Sequence, residues 1–425
     1  MKMKDSGIDW IGMVPEGWEV RQLKRIVRLK GGTGFPIERQ GIFTEAIRFI
    51  KVNALASHIN PMHEYDTISY EDAFAMQATI FPQGSIVFAK VGAALLLHRF
   101  EKLPFDCCID NNLMCLYDIS ADSKWLQFSL SLLNFNSLVN PGAVPSVNQS
   151  QVGMMPIAVP PLSEQQAIAN YLDEKCGKID EQVKLLEKKV DAYKNLKRSV
   201  INETVTRGLD KNVKLKDSGV DWIGMVPEGW EVTRFKNVFD YTTGITPDSK
   251  NESYFGLDDA DYTWITIADM DKKVVERSAL NLTEKAIRTF VPRITKKGSL
   301  IFSFKLSIGK VSFAGKDLIT NEAIASIPPS NNYILDYWYY FLPMILDKNA
   351  RENIYGAKML NQGIIFNMLM PVPPLSEQQA IATYLDKKCN KIDKSIELVE
   401  KQIDAYKRLK RSLINEVVTG KRRVE

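Results

Sequence analysis

Pro160-Pro161-Leu162-Ser163-Glu164-Gln165-Gln166-Ala167-Ile168-Ala169 returns, unchanged, as residues 373–382. Across residues 160–180, 18 of 21 positions are identical in the second copy, and each copy opens a long run of helical apolar periodicity. A second block, residues 4–20, returns as 216–232, and only Ile8/Val220 differs among its 17 positions. The chain of 425 residues therefore reads block, middle, helix, block, middle, helix. Two copies of a ~210-residue unit mean duplication of a whole domain plus its helix, not a solenoid of short repeats. The length suffices for two or three domains with a core each.

The helices carry their own punctuation. Ser163 and Ser376 have Gln166 and Gln379 three residues on, a capping-box pattern after a proline pair. Gly208 and Gly420 stand where a C-terminal cap glycine belongs. Gly177 and Asn390 interrupt the pattern, and a kink or break is expected at each. Beyond them Ile179, Val183, Leu186, Val190 and Tyr193 alternate at spacings of four and three, and Ile392, Ile396, Val399, Ile403 and Tyr406 repeat the series. That is a coiled-coil seam, which Leu196, Val200, Leu409 and Leu413 would prolong with a wider apolar face. A whole domain separates the two helices in the chain, so antiparallel pairing is the natural geometry, a rod with a globular domain at each end.

The middles, residues 21–159 and 233–372, share length but almost no identity. Residues 48–52 and 263–267 read as strands, as do 84–89 and 298–303; helical signal falls at 123–136 and 335–350. Gly31-Gly32-Thr33-Gly34 and Thr242-Thr243-Gly244 fall at matching places and read as loops. The expected class is α+β: two similar globular domains separated by an antiparallel coiled coil of two long helices, with an internal pseudo-twofold repeat. The boundaries are 1–159 and 209–372 for the domains, 160–208 and 373–425 for the helical spacers.

The net charge of +4 neither demands nor excludes nucleic acid. Five cysteines without CxxC spacing fit a reduced, cytoplasmic chain, and no run reaches the ~18 apolar residues of a membrane span. There is no GxxxxGK[ST] phosphate loop, no GxGxxG after a strand, and no Asn/Asp-Pro-Pro-aromatic motif of an amino-methyltransferase. His58, His63 and His98 lie in one half only, which argues against a metal site. Pro247-Asp248 with Asp271-Lys272-Lys273 loosely fits the two-acid-and-lysine pattern of metal-dependent nucleases, a pattern short enough to arise by chance. No catalytic or metal-binding residue is assigned. The candidates for DNA contact are Lys90, Arg99, Ser146, Asn148 and Gln149 in the first middle, and Lys305, Lys310, Lys358, Asn361 and Gln362 in the second. Lys and Arg suit phosphate or guanine, Asn and Gln suit adenine. Taken singly, each reads more readily as an ordinary surface polar residue.

On the strength of the KDSGIDWIG-VPEGWEV blocks and the two PPLSEQQAIA-YLD helices, the whole chain resembles the specificity subunits of type I restriction–modification enzymes. The resemblance implies two target-recognition domains, each reading half of a bipartite, asymmetric duplex DNA site. It implies helices that set the half-site spacing and dock two methyltransferase (modification) subunits. It also implies no catalytic centre and no cofactor in this chain. S-adenosylmethionine, ATP and Mg would belong to the modification and, where present, restriction subunits. A self-contained nuclease or methyltransferase, or a coiled-coil adaptor of two protein-binding domains, are the other classes a chain of this layout could serve.

Overall fold

The computed structural model describes residues 2–8, 11–56, 58–133, 135, 144–256, 262–352 and 358–424. The chain divides into two compact units, Met1–Glu187 with Glu400–Glu425, and Lys188–Val399. Each unit thus takes one globular domain and part of both long helices.

In the first unit a four-stranded antiparallel sheet runs in the order Arg28–Gly31, Leu113–Tyr117, Ile86–Ala89, Phe100–Lys102. Beside it Ile47–Ile50 pairs in parallel with Cys107–Ile109. The second unit repeats this order with Thr242–Thr243, Ile324–Ile327, Leu300–Ser303 and Val311–Ala314, and adds Val274–Val275 in parallel at the edge. Its parallel pair is Tyr262–Ile265 with Ile319–Thr320. Ile86–Ala89 and Leu300–Ser303 are buried at every position. Such central strands show as continuous apolar runs, which is why they were legible in sequence.

Thr242–Thr243 is a strand, paired with Ala325 and Ser326, and not the loop expected from its composition; Gly31 likewise ends a strand. The glycines that follow serve a close approach. A Cβ on Gly32 would lie 2.1 Å from the Asp110 carbonyl oxygen, and one on Gly244 1.7 Å from that of Thr320. The helix expected over 123–136 spans Ser123–Leu130, with 134 and 136 outside the described residues; its counterpart spans Leu335–Asn349.

The long helices are Leu162–Arg207 and Leu375–Val418. Both run unbroken through Gly177 and Asn390, so the expected break is absent; nothing lies within 4 Å of a Cβ built on Gly177, and the hydrogen-bonded ladder needs no side chain there. Nor do the serines cap. The helices start two residues earlier than such caps would set them, at Leu162 and Leu375, with Pro161 and Pro374 carbonyls accepting the first N–H groups. The buried Gln165 and Gln378 amides reach back to the Pro160 and Pro373 carbonyls at 2.8 Å. Gly208 and Gly420 do take the left-handed conformation, φ +75° and +71°.

The helices run antiparallel. In the first unit Asp180 pairs with Lys410 at 2.6 Å, and Glu187 with Lys407 at 3.7 Å, so one number falls as the other rises. In the second, Asp393 pairs with Lys197 at 2.7 Å, the same interaction moved by one repeat. Val190, Ile392, Val399 and Ile403 are buried, and Ile179, Val183, Leu186, Tyr193, Ile396 and Tyr406 are half-buried. Leu413 and Val200 continue inward, but Leu196 and Leu409 do not prolong the seam: they are 46% and 54% exposed. Each core receives two helix ends. Ile168, Leu172, Leu413 and Val417 share the first with Trp18 and Trp125; Ile381, Leu385 and Val205 share the second with Trp230 and Trp338. Among the described residues no helix is long and apolar enough to cross a membrane.

Candidate nucleic-acid interface

Each domain projects one hairpin from its central sheet. In the first, Phe88 stands opposite Phe100, and residues 90–99 form the tip. In the second, Phe302 stands opposite Val311, and 304–310 form the tip. Arg99 and Lys310 occupy the same place, one residue before the returning strand. The Arg99 guanidinium donates to the Leu55 carbonyl at 3.3 Å, and the Lys310 ammonium donates to that of Ile267 at 3.1 Å. Both carbonyls belong to the 3-10 turn after the buried parallel strand, Val52–Ala56 or Ile267–Asp269. Lys310 also pairs with Asp271 at 2.8 Å. These two cations anchor the hairpin base, an equivalence that sequence could not display.

A second loop lies beside the tip in the first domain. Val147 N–H donates to the Lys90 carbonyl at 3.0 Å, and Val91 bridges Ser146. Lys90, Ser146, Asn148 and Gln149 are thereby brought to one edge. Asn148 caps the short helix Gln149–Gly153, its side-chain oxygen accepting from Gln151 N–H at 2.9 Å. Asn361 does the same for Gln362–Asn367, accepting from Ile364 N–H at 2.9 Å. Both asparagines therefore have their carbonyl oxygens committed, while Gln149 and Gln362, the next residues, are exposed. In the second domain Lys305 is exposed on the tip, 5.6 Å from the Phe304 ring centroid. Lys358 forms an ion pair with Asp347 at the end of Leu335–Asn349. Phe304 and Leu360 both belong to the core of the second unit.

The loose nuclease pattern is not assembled. Asp248 accepts from Lys250 N–H, Asp271 is held by Lys310, and Lys273 pairs with Asp386 at 2.7 Å and Asp336 at 3.4 Å. Among the described residues no three His, Cys, Asp or Glu side chains are placed to hold a metal. Lys273 instead ties the edge of the second sheet to the second long helix, where Tyr340 also donates to Asp386 at 2.6 Å. Burial alone would raise the Asp386 carboxyl, but hydrogen bonds from Lys273 and Tyr340 outweigh it and hold it below its ordinary value.

Two strand-matched hairpins, each backed by an asparagine-capped loop, on domains duplicated with their helices, invite comparison with known proteins. Residues 15–189 and 227–405 match the family model described as the Type I restriction modification DNA specificity domain. The chain belongs to this family. Each matched segment runs from a repeat block, through one domain, into the long helix that follows. The putative type I restriction enzyme MjaX specificity subunit of Methanocaldococcus jannaschii is 25% identical over 440 residues, covering 98% of this chain and 96% of the relative. The type I restriction enzyme MjaIX specificity subunit of the same organism is 30% identical over 188 residues, 42% of this chain and 43% of the relative. Among solved structures, a chain from work on complex assembly and conformational transition of the type I R-M system superposes with a TM-score of 0.72. It is 15% identical, with 95% of this chain and 98% of that one covered. The HsdS subunit from Thermoanaerobacter tengcongensis gives 0.50 at 16% identity, covering 96% and 98%.

Proposed function

We infer that this chain is the DNA-specificity subunit of a type I restriction–modification complex, in which each domain reads one half of a bipartite, asymmetric duplex site. The observation that carries the reading is divergence confined to the readers. The frames are nearly identical in both copies, and the strand order is shared. Yet the first domain carries Lys90, Ser146 and Gln149 about its tip, while the second exposes Lys305 on its tip and Gln362 at the start of its capped helix. Two different readers on one repeated frame suit two different half-sites. In this proposal the readers are residues 1–159 and 209–372, and the spacers 160–208 and 373–425 hold the half-site spacing.

The chain is proposed to act without catalysis of its own, in the cytoplasm, with methyltransferase subunits and, where present, restriction subunits. It would carry no cofactor; S-adenosylmethionine, ATP and Mg would sit on those partners. The exposed leucines of the helix pair support a stoichiometry of two methyltransferase copies. With Val183 and Ile396 at heptad position a, Leu185 and Leu398 fall at the outward position c, and Leu196 and Leu409 at g, which flanks the seam. One unit carries Leu185 with Leu409, the other Leu398 with Leu196, at 46–62% exposure. The same two leucine positions, exposed in both units, suit one partner bound twice.

Replacing residues 21–159 with the matching segment of a relative, then mapping methylated adenines in the host, tests the modular reading. One half of the methylated sequence should change and the other stay. If both halves change, the domains are not independent readers. A chain that binds no duplex with a gapped footprint would instead be a protein adaptor.

A further inference from the structure

The second hairpin ends in an apolar residue that packing does not explain. Leu306 is 86% exposed and sits at φ +61°, in the left-handed region that leucine seldom adopts. The tip that holds it there is closed from below. The hydroxyl of Ser303, a residue without solvent exposure, donates to the Ser307 carbonyl and accepts Lys310 N–H at 3.0 Å. Gly309 N–H donates to the Ser303 carbonyl at 3.0 Å, and the Lys310 ammonium is pinned to Ile267 and Asp271. Leu306 is thus displayed on a fixed turn, with the exposed cation Lys305 beside it. The first domain does the same with other residues. Its tip exposes Leu96 and Leu97, 44% and 57%, and turns through His98 at φ +50°. Two domains with almost no shared surface sequence both end this hairpin in exposed leucine and a left-handed residue.

We propose that Leu306 is a base-reading residue of the second domain, packing against a thymine methyl group in the major groove. The inference rests on the reading of the chain as a DNA-specificity subunit and adds a kind of contact that polar candidates do not supply. A two-stranded ribbon fits the major groove, and thymine is the base that presents an apolar group there. Lys305, its neighbour on the tip, is placed for phosphate.

The test uses the full complex with its methyltransferase partner and a duplex carrying the mapped site. Each thymine of the second half-site is replaced in turn by deoxyuridine, which removes only the methyl group. At one position the wild type should lose about fourfold in affinity, the worth of one buried methyl, ~0.8 kcal/mol. Leu306→Ala should bind the thymine duplex more weakly and treat thymine and uracil there alike. Leu306→Asn, which suits the left-handed conformation and removes the apolar group, should behave as the alanine variant does. Discrimination in the first half-site should be unchanged. Wild-type indifference to every replacement, or a penalty that persists in both variants, overturns the proposal. Loss of specific binding to the unmodified duplex by the wild-type complex would instead strike the specificity reading itself.

Discussion

The indole N–H of Trp18 donates to Glu164 Oε2 at 2.9 Å, and one repeat later Trp230 donates to Glu377 Oε2 at 2.8 Å. Each tryptophan is about 1% exposed, so its N–H has no water to turn to, and the bond fastens the repeat block to the start of its helix. Glu164→Ala orphans that donor at a cost of about 1–3 kcal/mol, and Glu377→Ala should cost a similar amount. Glu164→Gln, which keeps an acceptor, should cost less. Thermal unfolding of the three variants checks this; equal midpoints for Ala and Gln would show that the carboxylate does not hold the frame.

The close-approach glycines make a contrast within one loop. Gly32→Ala and Gly244→Ala drive a methyl group into a backbone carbonyl, and each should destabilise its domain by about 1–3 kcal/mol or more. Gly34 has nothing within 4 Å of a built Cβ, and Gly34→Ala should be close to neutral. Denaturant midpoints of the three variants decide the matter.

The Lys273–Asp386 tie has a defined pH window. Asp386 is held below its ordinary 3.8, so its contribution is complete above that value and is lost as pH falls through the depressed folded value. Burial of Lys273 would lower its ammonium value, but Asp386 and Asp336 outweigh it and raise it above 10.5; that contribution is lost only in strong base. Lys273→Met should therefore sit below wild type by a constant margin from about pH 5 to 9, with the two converging in acid below about pH 4. Unfolding midpoints against pH provide the measurement. A gap that widens in acid would mean the tie is not electrostatic.

The proposed docking leucines predict a stoichiometry. Leu185→Glu with Leu409→Glu should leave a complex holding one methyltransferase copy, and adding Leu196→Glu and Leu398→Glu should leave none. All four side chains are exposed, so the chain itself should unfold at an unchanged temperature to within a degree or two. Native mass spectrometry of the co-expressed complexes reads the copy number. Two copies retained by the fourfold variant would place docking elsewhere.

Much of the architecture was legible because duplication is written in the chain as repeated text, and the seam as a four–three spacing that survives in both copies. What was misread depended on partners far away in sequence. The Gln165 side chain accepts from the N–H of Asp122, and that of Gln378 from Ile334, so the helix start is fixed from the neighbouring domain helix and not by the adjacent serine. Thr242 and Thr243 become a strand only by meeting Ser326 and Ala325. The same holds at the interface. There Asn148 and Asn361 also cap short helices, and Arg99 and Lys310 also brace the hairpins, contacts with partners that no spacing in the sequence displays. Val205 lies beyond the heptad positions, yet it has no solvent exposure and its carbonyl accepts the Tyr337 hydroxyl at 2.9 Å. An insertion there would disrupt the second core.

The final turn of the second helix, with Leu413 and Val417, completes the first domain, as Val205 of the first helix completes the second. The two ends of the first unit meet: Gly420 closes against Pro15, and Val424 packs on the core that Trp18 helps to form. A permuted chain, with a short bridge from Val424 to Lys2 and new ends after Gly208, should fold to the same molecule. A half-length chain made of residues 209–425 should find in its own twin the missing helix end, and such a homodimer would select an inverted repeat where the parent selects an asymmetric site.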